Sequence, residues 1–113
     1  IALSDAVDNA DVKAVERAFA GGAKFSASYL GSIVITCISE AYFPLRPDSD
    51  PKCERFRAIA KFLLRRGADP NQRDGNQGTA LHHAAMNGDV EICTLLLDRK
   101  ADPAGAADVL AAA

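Results

Sequence analysis

His82 and His83 are the most chemically able side chains in this sequence, because imidazole can move protons or bind metal near neutral pH. They are also the only histidines. Consecutive residues on a helix point about 100° apart, so the pair cannot clamp one ion together. The three cysteines, Cys37, Cys53 and Cys93, are odd in number, far apart and free of any Cys-x-x-Cys pair. That pattern suits reduced thiols and neither a disulfide framework nor a zinc site. Asp48-Ser49-Asp50 has too few ligands, and no following glycine or glutamate, for a calcium loop. No serine, cysteine or carboxylate stands in a nucleophile motif, and no glycine-rich phosphate loop is present. The sequence therefore predicts no catalytic residue, no cofactor site and no metal site, and the chain reads as a non-enzyme.

The elements that would have to position any site come from a chain of 113 residues, long enough for one continuous core but not for two. A formal net charge of −2, with the basic residues scattered except for Lys61, Arg65 and Arg66, argues against a nucleic-acid partner. Those three cations fall near a predicted helix end, where they complement its dipole. The longest β-branched apolar run, Ile33-Val34-Ile35, is far below a membrane span, and no signal peptide is recognisable. No membrane insertion and an intracellular setting, cytoplasmic or nuclear, are expected. The chain opens at Ile1 without a methionine and closes in Ala111-Ala112-Ala113, so both ends read as cut boundaries rather than natural termini.

Around the histidines the chain runs Gly78-Thr79-Ala80-Leu81-His82-His83-Ala84-Ala85, then Asn87-Gly88-Asp89-Val90, then Leu95-Leu96-Leu97. Gly67-Ala68-Asp69-Pro70 and Lys100-Ala101-Asp102-Pro103 repeat one closing signal at an offset of 33 residues. Gly22-Ala23 is the same signal again, but Ala23 and Ala68 are 45 apart, so the middle unit carries an insertion. This arrangement resembles the ankyrin repeat, whose period is about 33 residues and whose first helix opens on Thr-Pro-Leu-His. Only the proline differs, replaced by Ala80.

The resemblance implies an all-α fold, an ankyrin-repeat solenoid of about three helix-turn-helix units joined by finger-like β-turn loops. The domain covers residues 1–103, in units of about 1–23, 24–68 with an insertion near 43–50, and 69–103. Residues 104–113 form an alanine-rich C-terminal segment or partial cap. In the first unit, Leu3, Ala6 and Val7 repeat the spacing of Leu81, Ala84 and Ala85, and Asp11 and Asp89 are both placed to cap second helices. Val12, Val15, Ala18 and Phe19 make the next buried stripe, ended by Gly21-Gly22. Lys24 to Gly31 is expected to be a finger, with Ser32 capping a helix through Phe43. There the repeat outweighs the strand propensity of Ile33 to Thr36. Asp50-Pro51 is a strong helix start, and Phe56, Ile59, Ala60, Leu63 and Leu64 give that helix its apolar face.

By the same resemblance, the chain is a protein-protein interaction module that binds a protein partner through the concave surface of finger turns and first helices. Tyr29, Arg73, Asn76, His83, Met86 and Asn87 are its expected contact residues. His82 would be structural and largely buried, bridging the turn. A monomer is expected. An alternative makes the chain a scaffold segment of a larger enzyme or receptor, with binding through the 43–50 insertion and Phe43, Leu45 and Arg46 as anchors.

Overall fold

The computed structural model describes residues 3–22, 24–42, 50–75 and 78–102, so residues 43–49 of the expected 43–50 insertion, Asn76 and the 104–113 segment lie outside them. Among the described residues six helices occur in three pairs: α1 (Leu3–Asp8) with α2 (Val12–Ala20), α3 (Ala27–Tyr42) with α4 (Pro51–Arg65), and α5 (Ala80–Met86) with α6 (Val90–Asp98). The first helices of the pairs stack side by side, α1 on α3 and α3 on α5. The second helices stack likewise, α2 on α4 and α4 on α6. Two helical layers thus enclose one core that runs through every pair. That is the solenoid the period predicts, because no single pair can bury its own apolar face.

The stops and starts follow local chemistry. Asp11, Asp50, Thr79 and Asp89 each accept a hydrogen bond from a backbone amide in the first turn of the helix that follows. Gly22 and Gly67 end their units in the left-handed region, at φ +83° and +95°, which a residue without Cβ adopts freely. Lys100 stands at the same place in the last unit and has φ +76°. The core residues are those the periodicity picks out: Val34, Cys37 and Ile38 on α3, Ile59, Ala60, Leu63 and Leu64 on α4, and Leu81 and Ala84 on α5 are all buried. The β-branched run Ile33-Val34-Ile35 is helical, since the two flanking helix pairs reward a helix there by more than strand propensity costs.

Two expectations fail at the start of the middle unit. Residues 27–31 are helical rather than part of a finger, and Ser32 lies inside α3. Ser26 is the cap instead: its Oγ accepts from the Tyr29 amide at 3.1 Å, while its carbonyl accepts from Leu30. The early start is held from outside by the next unit. The Asp69 amide donates to the Ala27 carbonyl at 2.9 Å, and Ser28 Oγ lies 2.6 Å from Gln72 Oε1. Gly31 allows that approach, because a Cβ there would lie 2.6 Å from the Asp69 carbonyl oxygen and 2.7 Å from Gln72 Cβ.

The finger of the last unit is closed by a single antiparallel bridge between Arg73 and Thr79, with the Asp74 amide donating to the Gly78 carbonyl at 2.8 Å. At the far end of the stack, Leu97 is 43% exposed, whereas Leu64, its counterpart one period earlier, is 1% exposed. α6 covers Leu64, and no described helix covers Leu97.

Candidate functional site

Four of the six expected contact residues sit on or beside α5. Met86, the last residue of that helix, is 63% exposed. Asn87 follows as the helix cap, exposed, its Nδ2 donating to the His83 carbonyl at 2.8 Å. Arg73 is exposed on the finger directly across from Thr79. His83 ties helix and finger together: its Nε2 lies 2.9 Å from Asp74 Oδ2, and Asp74 Oδ1 accepts from the Gly78 amide at 2.8 Å. The His83 ring is consequently half-buried. Whatever surface it presents, it also fixes the finger against α5.

Tyr29 belongs to a different neighbourhood. It occupies the first turn of α3, is 42% exposed, and its ring lies 5.9 Å from that of Phe25. Phe25 meets Phe19 edge-on at 5.3 Å, and Phe19 meets Phe62 edge-on at 5.4 Å. These rings form a file from the start of α3 to the seam between α2 and α4, away from Met86.

His82 is partly exposed, with its ring edge-on to His83 at 5.8 Å. The Thr79 hydroxyl accepts from its backbone amide at 3.2 Å, which caps α5. Among the described residues no group of three His, Cys, Asp or Glu side chains is placed to hold a metal ion. Nor is any helix among them long and apolar enough to cross a membrane. Cys37 and Cys53 are buried free thiols and Cys93 is half-buried. Burial first, then the charge of Glu40, pushes the Cys37 thiol up to about 12, which removes thiolate character near neutral pH.

The most concentrated polar chemistry lies where sequence reading saw only a helix cap. Asp89 caps α6 by accepting from the Ile92 amide at 3.1 Å, and it also receives Arg57 Nε at 2.7 Å, Arg57 NH2 at 3.1 Å and the Tyr42 hydroxyl. Arg57 extends the network to Glu54 and Glu91, and Lys61 joins at Glu91. The Tyr42 hydroxyl is pushed up, first by burial and then by its bond to Asp89. No local motif marks Arg57 and Tyr42; only the offset that stacks α4 against α6 could have suggested them. Lys61, Arg65 and Arg66 do not act as one cluster. Lys61 is spent on Glu91, Arg65 is exposed, and the Arg66 guanidinium lies over the rings of Phe62 and Phe19, 5.0 and 5.7 Å from their centroids.

Stacked helix pairs, left-handed stops at Gly22, Gly67 and Lys100, and a finger bonded back to its first helix define a helical-repeat scaffold. Residues 55–97 match the family described as ankyrin repeats (many copies). The chain is similar to protein fem-1 homolog A-like of Mus musculus, 51% identical over 41 residues that make up 36% of this chain and 6% of that protein. It is likewise similar to inversin of Danio rerio, 51% identical over 43 residues, 38% of this chain and 4% of that protein. The similarity therefore spans only a small part of either relative. No solved structure matches the chain. Ankyrin repeats are in general protein-protein interaction modules, and the family is typically non-catalytic.

Proposed function

We propose that this chain is a non-catalytic module that binds a protein partner across the finger of the last unit and the exposed end of α5. The observation that carries the reading is Met86, a flexible apolar side chain 63% exposed beside polar Asn87 and the finger-bonded His83. A thioether among adaptable polar groups is a common contact chemistry in protein recognition. Arg73 and Asn76 on the finger would extend that surface, and Tyr29 would serve as an outlying contact. His83 acts mainly by holding the finger in register.

The test is capture of partners from lysate by the wild-type chain, followed by affinity measurement with Met86→Ala plus Asn87→Ala. Contacts near an interface centre carry most of the energy, so binding is expected to weaken by about 1–3 kcal/mol. The helical circular dichroism should be nearly unchanged. Phe43→Ala with Leu45→Ala should leave affinity within about 0.5 kcal/mol of wild type, as for changes outside an interface. Loss of binding in the second pair and retention in the first would assign the role to the 43–50 insertion.

A further inference from the structure

The seam between α2 and α4 on the second-helix side carries a trough with its own chemistry. Two adjoining grooves lie there. One of ≈ 480 Å³ is lined by Asn9 to Lys13 together with Arg55, and one of ≈ 470 Å³ by Lys13, Glu16, Arg17, Ala20, Phe62 and Arg66. Lys13 lines both, so the two meet at its side chain. Along α4 the trough runs from Arg55 to Arg66, about 16 Å at 1.5 Å per residue. That length accommodates about five residues of extended chain at roughly 3.3 Å each.

Its charge decides what fits. Lys13, Arg17, Arg55 and Arg66 face only Glu16 and Asp11, and the Asp11 carboxylate already accepts the Ala14 amide. Among the described residues none of these four cations is within ion-pairing distance of a carboxylate. The seam on the other side of α4 is the opposite case, because there Arg57 and Lys61 are neutralised by Asp89 and Glu91. A chain with net charge −2 thus keeps four unpaired cations together along this seam. The Arg66 guanidinium lies 5.0 Å from the Phe62 ring centroid and 5.7 Å from that of Phe19, with no carboxylate among the described residues within ion-pairing distance to occupy its donors. Phe62 and Ala20 supply an apolar floor.

We infer that the α2–α4 seam is a second docking surface, distinct from the finger and α5, which takes an acidic protein segment carrying an aromatic or aliphatic residue. Carboxylates pair with Lys13, Arg17, Arg55 and Arg66 while the apolar side chain lies against Phe62. Affinity then falls as salt rises, because exposed charge pairs are screened.

A fluorescein-labelled peptide, Glu-Asp-Glu-Phe-Glu-Leu-Asp-Glu, titrated with the wild-type chain by fluorescence polarisation tests this. The control probes are the same peptide with Gln and Asn for its acids, an oligothymidine strand, and vesicles of phosphatidylcholine with phosphatidylserine. Saturable, salt-sensitive binding of the acidic peptide is expected. It should weaken at least about tenfold in Lys13→Glu with Arg17→Glu, two exposed positions whose change keeps the fold, and should be unchanged in Met86→Ala. Circular dichroism checks the fold of each variant, and Arg55→Glu is an independent second variant. No binding of the acidic peptide overturns the inference, as does equal binding of the amide peptide or indifference to both charge reversals. Oligothymidine or vesicles binding as tightly as the peptide would overturn it in favour of a general polyanion surface. The Met86 variant keeps the result independent of the finger surface.

Discussion

Arg57 on α4 places Nε 2.7 Å and NH2 3.1 Å from the two carboxylate oxygens of Asp89, the residue that starts α6. One carboxylate thus caps a helix and fastens that helix to the unit before it. Its side chain is 2% exposed and that of Arg57 17%, so this is a shielded pair rather than a surface one. Removing one partner of such a pair leaves the other charge uncompensated, which typically costs about 3–5 kcal/mol. Arg57→Met should accordingly destabilise the protein by about 3 kcal/mol. Asp89→Ala should cost more, by about the 1 kcal/mol of a lost cap. Urea denaturation of both variants checks the order.

The same carboxylate predicts an acid transition. Burial pushes the Asp89 pKa up, but hydrogen bonds from Arg57, Tyr42 and the Ile92 amide, together with the Arg57 charge, outweigh it and hold the group below the ordinary carboxylate value. A depressed folded-state pKa gives stability that is complete above the unfolded value, about 3.9, and that is lost as pH falls through the folded value. Thermal melts should show Tm dropping below about pH 4. Asp89→Asn should start lower at pH 7 and fall less steeply with acid.

Lys100 has φ +76° where the earlier units have glycine, and its side chain is exposed. Lys100→Gly should stabilise the fold by about 1 kcal/mol, since a left-handed backbone costs a residue with Cβ roughly that much. Ala10, at φ +52°, occupies the place of Gly88, but its methyl is buried. Ala10→Gly should therefore gain less, because backbone relief is offset by lost packing. A lower Tm for Lys100→Gly would contradict the strain argument.

Gly31→Ala should destabilise by about 1–3 kcal/mol, the usual cost of forcing an extra carbon into a packed site. The added Cβ would meet the Asp69 carbonyl oxygen and Gln72 Cβ at 2.6 and 2.7 Å. Hydrogen exchange in the variant should rise first in the Asp69 and Ala27 region, where the two segments are bonded.

Thiol labelling of the native protein should spare Cys37 and Cys53, both buried, and reach Cys93 slowly. The Cys93 thiol is half-buried, and burial and then the Asp89 charge push its pKa up. Fast labelling of Cys37 would contradict its packing.

The parts of the fold governed by nearest neighbours in sequence were readable without coordinates. Asp11, Asp50 and Asp89 announce helix starts by chemistry within three residues, and the stripe from Phe56 to Leu64 announces a buried face by spacing alone. Where the controlling partner lies far along the chain, reading failed. Ser32 is the expected cap, whereas the cap is Ser26, and the early turn it starts is held by Asp69 and Gln72, about forty residues away. The candidate surfaces divide in the same way. Met86 and Asn87 followed from their place after a recognisable helix, whereas the neutralisation of Lys61 and the solitude of Arg66 depend on which helix packs on each side of α4.

The early start of α3 also sets what kind of recognition the middle unit can offer. Four residues separate Gly22 from Ala27, and from Ala27 the backbone is helical, with the Ala27 carbonyl accepting from the Asp69 amide. Ser32 and Thr36, on its exposed side, turn their hydroxyls back onto the carbonyls of Ser28 and Ser32. The middle unit thus offers no free strand edge along 27–42, so an incoming chain cannot extend a sheet there. A partner meeting the middle unit would be read there by side chains alone, through fit of shape rather than through backbone pairing.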